Sequence, residues 1–231
     1  MIPILTYHRV GRPKEPHVPT VSAEAFERQL AWLKRFGCRS ADLDAHADAI
    51  EGRRLALPRR SVIVTFDDGY EETAAIAAPL LARYGFRSTV FMTVRDVGAP
   101  GFMTWEQLRG VLEQGMSIGS HTMTHADLPS LDREQLRSEL SDSKRALEQG
   151  LGQRVSWLSY PIGAYSSQVQ EAAREAGYRG ACTTNRGISK RAPDLFAIRR
   201  IKSTDRDAHP VVLWAKVSGC YDGFRRLAPP S

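Results

Sequence analysis

The sequence alternates between short apolar runs and longer stretches in which apolar residues recur at helical spacing. Seven short runs are candidate strands: residues 2–7, 62–66, 89–93, 117–120, 155–159, 180–183 and 196–201. The stretches between them predict helices that begin at Ser22, around Tyr70, at Thr104, near Asp132 and near Ser166. Alternating strands and helices favour parallel βαβ units. About seven such units favour an α/β barrel with outer helices over an open sheet, with the chemistry at the C-terminal ends of the strands.

Local side-chain chemistry predicts where two of these helices begin and end. Thr104 and Gln107 have the spacing of a capping box, and Gly115 is expected to end the helix that they start. The helix that begins near Asp132 is expected to end at Gly150 for the same reason.

The composition is that of an ordinary globular protein, with 231 residues, 42% hydrophobic and 25% charged. It predicts a single domain over residues 1–231. The three cysteines, Cys38, Cys182 and Cys220, have no metal-type pairing and are expected to be reduced thiols. The first residues, MIPILTYHRV, hold an apolar run too short for a signal peptide or a membrane span. We therefore expect a cytoplasmic protein.

The formal net charge is +6, and the basic residues are concentrated between positions 174 and 206. Nine lysines and arginines lie there against three acidic residues. No helix-turn-helix or aromatic-interleaved pattern accompanies these charges, so we expect a solvated basic surface and no nucleic-acid partner. Peripheral contact with an anionic membrane or a lipid-linked glycan is a second hypothesis for this surface. The pattern indicates no oligomeric state.

The stretch SVIVTFDDGY places two adjacent carboxylates at the end of a predicted buried strand. Gly69 allows the chain to turn sharply there, so that Asp67 and Asp68 can point into one site beyond the strand. Two neighbouring negative charges repel each other. A bound metal cation would remove that repulsion.

The stretch IGSHTMTHADL places His121 and His125 four residues apart after another predicted strand. Two imidazoles with one carboxylate from elsewhere form the three-ligand set, with an open position, that a catalytic Zn²⁺ needs. His121 is not followed by glutamate, which argues against a zinc protease with a His-Glu-x-x-His motif. The facial triad of a non-haem Fe(II) oxygenase is an alternative. Such oxygenases usually have a β-sandwich, whereas this chain is punctuated by helices.

The motifs TFDDG, SHTMTH and YPIGAYS, in this order and spacing, resemble those of the polysaccharide deacetylase family, also called the NodB homology domain or carbohydrate esterase family 4. The resemblance covers roughly residues 60–200. It implies a distorted (β/α) barrel of about seven parallel strands. It also implies metal-dependent hydrolysis of an N-acetyl group, usually on N-acetylglucosamine units.

The resemblance assigns roles to individual residues. It implies that Asp67 is the general base and that three residues hold the metal, namely Asp68, His121 and His125. The metal would be divalent, with zinc first and cobalt, nickel or iron as further candidates. The backbone N–H of Ile162 takes the place of an oxyanion donor, because the preceding Pro161 has no N–H to offer.

The chain departs from the common family pattern at two positions near Pro161, and it lacks the family's Leu-x-His motif that would supply the general acid near the C-terminus. Many members have an arginine where this chain has Ser159, and a tyrosine where it has Ile162. An arginine that orients the base is therefore missing or comes from elsewhere, with Arg199 and Arg200 as candidates. The start ILTYHRV resembles a circularly permuted branch of the family that deacetylates poly-β-1,6-N-acetylglucosamine, and this resemblance implies that His8 is the general acid. A core histidine is the alternative.

The substrate is less constrained by the sequence. Tyr165 and Pro161 are expected to contact it, and Trp105, Phe102 and Trp214 are further aromatic candidates for sugar stacking. If the protein is cytoplasmic, a lipid-linked or nucleotide-linked sugar, or a biosynthetic oligosaccharide, is a more accessible substrate than an extracellular polymer. A metal-dependent amidase or imidase acting on a small non-sugar molecule and an inactive carbohydrate-binding relative remain as alternative functions.

Overall fold

In a computed structural model, which describes residues 2–53, 57–186 and 194–218, parallel strands close into a barrel. The strands are β1 (Ile4–Tyr7), β2 (Arg9–Val10), β3 (Thr20–Val21), β4 (Arg39–Ser40), β5 (Ser61–Phe66), β6 (Ser88–Met92), β7 (Ser117–Ser120), β8 (Trp157–Ser159), β9 (Gly180–Arg186) and β10 (Ile198–Lys202). Seven of them form the barrel in the order β1, β5, β6, β7, β8, β9, β10. β1 pairs with both β5 and β10, which closes the circle. The predicted barrel of seven parallel strands is confirmed.

Helices surround the barrel. The α-helices are α1 (Ala23–Arg35), α2 (Leu43–Ile50), α3 (Ala78–Tyr84), α4 (Trp105–Glu113), α5 (Arg133–Arg137), α6 (Ser143–Leu151), α7 (Ser167–Glu175) and α8 (Pro210–Val217). A π-helical turn, Thr73–Ala77, leads into α3, and a second one, Ser138–Asp142, joins α5 to α6. No helix in the described part of the chain is both long enough and apolar enough to cross a membrane.

Alternation along the strands separates two apolar clusters. Val64 and Phe66 of β5 belong to the larger cluster, which includes the apolar faces of the surrounding helices. Ile63, which directly precedes Val64, belongs to a smaller cluster inside the barrel. That inner cluster is built from alternate residues of the other strands together with two residues of α2: Ile4, Phe91, Trp157, Cys182, Ile198, Leu43 and Ala47. Residues two positions further along β5 and β10 therefore also point into the barrel, towards its C-terminal end.

Most predicted boundaries agree with the structure to within two residues, and one is wrong. The side chain and backbone of Thr104 form a capping box with Gln107 at the start of α4. However, α6 does not end at Gly150. It continues to the left-handed Gly152, which has φ 66°. The glycine at position 150 serves packing rather than helix termination, because a Cβ atom there would approach the Trp105 ring to 2.3 Å. Two further helices, α2 and α8, were not predicted from the sequence.

The concentration of basic residues near the C-terminus is not simply a solvated surface. Arg200 is fully buried. Arg179 forms ion pairs with Asp44, Asp48 and Glu51. Several members of the predicted basic surface are therefore already neutralised within the fold, while Lys190 and Arg191 lie outside the described residues. Cys38 and Cys182 are free thiols, and Cys220 likewise lies outside the described residues.

Candidate active site and metal centre

The C-terminal ends of the barrel strands surround a cleft of about 440 Å³. Its walls come from the segments that follow β1, β5, β6, β7 and β8, and from the end of β9. The lining includes most of the residues singled out in the sequence: His8, Asp67, Asp68, His121, His125 and Ile162. A larger groove of about 760 Å³ lies at the opposite end of the barrel, where β1 and β5 begin. Its described lining contains no carboxylate or imidazole, so the smaller cleft is the candidate for catalysis.

Three potential metal ligands meet in this cleft. Asp68, His121 and His125 each offer one ligand atom, and these atoms all lie within 4.8 Å of one another. Asp68 Oδ1 lies 3.4 Å from His121 Nε2 and 3.7 Å from His125 Nε2. Zinc–ligand bonds of about 2.0–2.1 Å in a tetrahedron would place neighbouring ligand atoms about 3.3 Å apart. The two distances from Asp68 to the imidazoles are therefore close to those expected between ligands of one small cation.

A backbone contact orients the first histidine. His121 Nδ1 lies 2.7 Å from the carbonyl oxygen of Ser159, and because a carbonyl only accepts, Nδ1 carries the proton. The other ring nitrogen, Nε2, is left facing Asp68. Burial alone would lower the pKa of His121, but its contacts with Asp68, Asp67 and the Ser159 carbonyl raise it. Histidines that bind metals are typically held by such a contact at the second nitrogen.

Left-handed backbone is concentrated at the cleft. Among the described residues other than glycine, five have positive φ, and four of these lie at the site: Asp68 (69°), Thr122 (70°), His125 (62°) and Ile162 (49°). Such conformations are unfavourable for residues with a Cβ atom, most of all for β-branched ones. Strained residues of this kind persist only where the surrounding contacts enforce them, and they cluster at functional sites.

The second carboxylate, Asp67, has a separate environment. It is 1% exposed, and Arg200 donates two hydrogen bonds to its two oxygens, at 2.7 and 2.8 Å. Arg200 also donates to Ser159 Oγ at 2.8 Å and to Thr65 Oγ1 at 3.2 Å. Burial alone would raise the pKa of Asp67, but the charges of Arg200 and His121 hold it well below its usual range. Asp67 is therefore ionised and rigidly held.

Arg200, from β10, is the arginine that contacts Asp67, whereas many family members have an arginine at the position of Ser159. Of the two candidates, Arg199 is exposed and Arg200 points into the barrel. The alternation of side chains along β10 could have distinguished the two arginines. Ile198 lies in the inner cluster, and Arg200, two residues further along, lies on the same face of the strand. Ser159, which stands where many relatives have arginine, accepts a hydrogen bond from the guanidinium that reaches Asp67 from β10.

The turn around Ile162 is fastened to β9. Thr184 Oγ1 donates to the Ile162 carbonyl at 2.9 Å, and Thr183 Oγ1 donates to the Gly163 carbonyl at 2.8 Å. Gly163 has φ 76°, and a Cβ atom there would approach Thr184 Oγ1 to 1.9 Å. These contacts fix the left-handed Ile162, whose side chain is 67% exposed at the edge of the cleft.

His8 follows β1 and lines the same cleft. Its Nδ1 is buried and has no hydrogen-bond partner among the described residues. Burial lowers the pKa of His8, while the charges of Asp67 and Asp68 oppose that effect.

The aromatic candidates for substrate contact are dispersed. Phe102 lines the cleft, where its ring stacks on Tyr70 with centroids 5.1 Å apart. Tyr165 stacks on Tyr160, which lines the cleft, but Tyr165 and the buried Pro161 are not themselves in the described lining. Trp105 packs on Gly150, and Trp214 lies at the opposite groove. Substrate contact by Tyr165 and Pro161 stays a prediction.

One wall of the cleft was not predicted from the sequence. His17, Val18 and Pro19, from the proline-rich loop between β2 and β3, line it. Ion pairs attach this loop to the segment after β5: Lys14 Nζ lies 2.9 Å from Glu71 Oε1 and 2.8 Å from Glu72 Oε1. Pairings between distant segments of this kind leave no periodic trace in a sequence.

Comparisons with known proteins agree with this geometry. A model of the family described as polysaccharide deacetylase matches residues 54–181. The Bacillus subtilis (strain 168) protein YxkH, which carries the name of a polysaccharide deacetylase, is 31% identical over 201 residues, covering 87% of this chain and 71% of its own length. The poly-beta-1,6-N-acetyl-D-glucosamine N-deacetylase of Staphylococcus aureus (strain MRSA252) is 23% identical over 248 residues, covering 95% of this chain and 82% of its own length. Among solved structures, the Streptococcus pyogenes deacetylase PplD in complex with acetate has a TM-score of 0.87 and 27% identity, covering 94% of this chain and 97% of that chain.

Proposed function

This chain belongs to the polysaccharide deacetylase family, whose members remove acetyl groups from sugars, and we propose that it is a metal-dependent N-deacetylase of N-acetylglucosamine units. The observation that carries the proposal is the convergence of Asp68, His121 and His125 beside a separate, buried carboxylate, Asp67. The substrate class is supported by the Staphylococcus aureus relative, which is named for poly-β-1,6-N-acetylglucosamine. An oligosaccharide or a lipid- or nucleotide-linked precursor with the same sugar is included.

The three ligand residues fit a divalent cation. Two imidazole nitrogens and one carboxylate oxygen are the donor set of many catalytic zinc sites, and their spacing suits such an ion. A divalent cation held there would lower the pKa of a bound water from about 15.7 towards about 7 and would polarise the acetyl carbonyl. Zinc is the first candidate, followed by cobalt, nickel or iron.

Asp67 accepts the proton of the attacking water in this proposal. Its low pKa makes it a weak base in isolation, but the proton is transferred from a water that is far more acidic than bulk water. Arg200 holds both carboxylate oxygens in place, so little reorganisation is needed during the transfer. Because the guanidinium keeps Asp67 ionised, the base is available at neutral pH.

Two further groups act on the substrate. The N–H of Ile162 donates a hydrogen bond to the oxygen of the acetyl group as negative charge develops on it. His8 donates a proton to the departing amine nitrogen, which leaves as the free amino sugar while the acyl carbon leaves as acetate. For this step the His8 ring must be protonated. Burial lowers the pKa of His8, and the charges of Asp67 and Asp68 offset only part of that effect, so His8 donates best towards the acidic side of neutral pH.

The alternatives from the sequence have less support. The fold is a (β/α) barrel rather than the β-sandwich usual for the iron oxygenases considered above. A complete ligand set and a paired base argue against an inactive binding module. The amidase acting on a small non-sugar molecule would use the same chemistry, and only the substrate separates it from the main proposal.

Acetate release tests the proposed function. The zinc-loaded protein is incubated with β-1,6-linked N-acetylglucosamine oligomers, and acetate is measured enzymatically. We expect release that stops after treatment with a chelator and returns when zinc, cobalt or nickel is added. Metal binding with turnover only of small non-sugar amides would support the amidase instead. A protein that binds no divalent metal would overturn the proposal.

A further inference from the structure

We propose that Glu139 is a positioning residue that holds the loop between His121 and His125 and thereby sets the metal affinity of the site. This inference rests on the proposed function, because it concerns the same metal site. Glu139 lies in the π-helical turn Ser138–Asp142, outside the motifs that identify the family.

The carboxylate of Glu139 accepts three hydrogen bonds from the loop. Oε2 accepts from the backbone N–H groups of Met123 and Thr124, at 2.9 and 3.0 Å, and Oε1 accepts from Thr124 Oγ1 at 2.6 Å. Glu139 is only 8% exposed. In the part of the chain that the structure describes, no lysine or arginine forms an ion pair with it, so donors of the loop offset its charge. Hydrogen bonds to an ionised, buried acceptor are among the stronger ones in proteins.

The loop needs such a restraint because its backbone is strained. Thr122 and His125, on either side of the two residues that Glu139 grips, both have left-handed φ angles, 70° and 62°. A loop released from Glu139 can relax towards ordinary backbone angles, and this relaxation rotates the Cα–Cβ bond of His125. The imidazole would then leave the ligand position beside Asp68.

The two histidines depend on Glu139 to different degrees. His121 lies directly after β7, and its Nδ1 donates to the Ser159 carbonyl on β8. His125 lies at the far end of the loop, and its backbone N–H donates to Thr122 Oγ1, within the loop itself. Loss of Glu139 should therefore displace His125 while His121 stays in place.

The helix that carries Glu139 braces the loop at a second point. Ser143 Oγ lies 3.0 Å from Ser120 Oγ, and Ser120 Oγ accepts from the N–H of Thr122. Glu139 and Ser143 are four residues apart, so they lie on the same face of the helix. The π turn between α5 and α6 contains Glu139 itself, and such turns occur often at functional sites.

A matched pair of variants separates metal positioning from general stability. Glu139→Ala removes the three loop contacts. Glu148→Ala, on the same helical run, removes a comparable carboxylate, which accepts from the N–H of Val155 and pairs with Lys144. Zn²⁺ dissociation constants are measured by competition with a chromophoric chelator. The visible spectrum of the Co²⁺ form reports loss of an imidazole ligand, and circular dichroism of the metal-free proteins reports folding.

We expect Glu139→Ala to weaken Zn²⁺ binding by about 10–100-fold, as is typical for residues that orient metal ligands, with a changed Co²⁺ spectrum. Glu148→Ala should stay within about twofold of wild type. Glu139→Asp withdraws the carboxylate by one methylene and should weaken Zn²⁺ binding by an intermediate factor. If Glu139→Ala does not fold, the Zn²⁺ affinity of Glu139→Asp tests the inference in its place. Equal affinity of the folded Glu139 variant and wild type, or equal losses in Glu139→Ala and Glu148→Ala, would overturn the inference while leaving the proposed function intact. A wild-type protein that binds no metal would overturn both.

Discussion

Asp67 and Asp68 are neighbours in the chain, but they belong to two regions with different electrostatics. Asp67 lies in what we call the base region, with Arg200 and Ser159, inside the end of the barrel. Asp68 lies in the metal region, with His121 and His125. The side chain of Asp68 is 18% exposed, whereas that of Asp67 is 2% exposed. Asp67 thus faces the guanidinium of Arg200, which belongs to the protein itself. Asp68, the next residue, faces the two imidazoles on the more exposed side of the turn.

The difference lies in where the compensating charge comes from. In the base region a guanidinium on β10 neutralises Asp67 as the protein folds, so removal of either partner would leave an uncompensated buried charge in the folded state. In the metal region the carboxylate faces two imidazoles, and the proposed cation would come from solution. Changes in the base region should therefore alter stability and turnover, whereas changes in the metal region should alter metal affinity and turnover.

The largest effect is expected in the metal region. Asp68→Ala removes the only carboxylate of the proposed ligand set, so zinc should no longer co-purify and acetate release should fall to the level of the metal-free protein. Metal content by mass spectrometry and acetate release measure the two effects. Chelated wild-type protein is the reference, because both should show the same residual activity. Retention of stoichiometric zinc by Asp68→Ala would remove this aspartate from the ligand set.

The matching change in the base region should leave metal binding unaltered. Asp67→Asn removes the proposed proton acceptor, so turnover should fall by about 10²–10⁴-fold while zinc remains bound. It also leaves the buried Arg200 charge without its partner, which should cost about 3–5 kcal/mol of stability.

Thermal unfolding checks that second effect. For a chain of this size, 1 kcal/mol corresponds to a shift of about 2–4 °C, so the melting temperature of Asp67→Asn should fall by roughly 10 °C. Turnover is measured well below that temperature, where the variant is folded. Wild-type activity in Asp67→Asn would show that another group is the base.

The sequence predicted the general fold and much of the candidate site for one reason. Strand and helix periods repeat locally, so the seven barrel strands could be read from apolar runs such as 62–66. Once parallel strands were inferred, the residues after them had to converge at one end of the barrel. Asp68 and His121 follow different strands, and they lie together in the structure. The single domain and the cytoplasmic location stay predictions.

What the sequence did not reveal depends on pairs of residues far apart in the chain. Arg200 reaches Asp67 across 133 positions, and Glu139 grips a loop 15 positions before it. The reason for missing α2 is different. Its sequence, LDAHADAI, has few large apolar residues, although Leu43 packs into the apolar cluster inside the barrel. Alternation could have selected Arg200 over Arg199, whereas no local pattern distinguishes Glu139 from a solvated helical glutamate.

Arg200→Lys tests the base region alone, because it keeps the positive charge and removes the paired N–H donors that hold both oxygens of Asp67. A lysine ammonium is a point charge that cannot grip both carboxylate oxygens in the way that a guanidinium does. Loss of one charge-assisted hydrogen bond, about 1.5–3 kcal/mol, should lower kcat by about 10–100-fold with zinc affinity unchanged. Arg199→Lys, at the exposed neighbouring position, is the matched control and should behave as wild type. A drop in zinc affinity in Arg200→Lys would mean that the two regions are coupled.

The smallest effect is expected where neither region is touched. Thr184→Val keeps the shape of the side chain and removes the hydroxyl that donates to the Ile162 carbonyl. With Thr183 still holding Gly163, the turn should loosen rather than collapse. The N–H of Ile162 should then be less well aimed in its proposed role as oxyanion donor. We expect kcat to fall about tenfold, equivalent to roughly 1.4 kcal/mol, while zinc affinity and melting temperature stay near those of wild type. Steady-state kinetics on an N-acetylglucosamine oligomer test this, and a change confined to KM would place Thr184 in ground-state binding of the sugar instead.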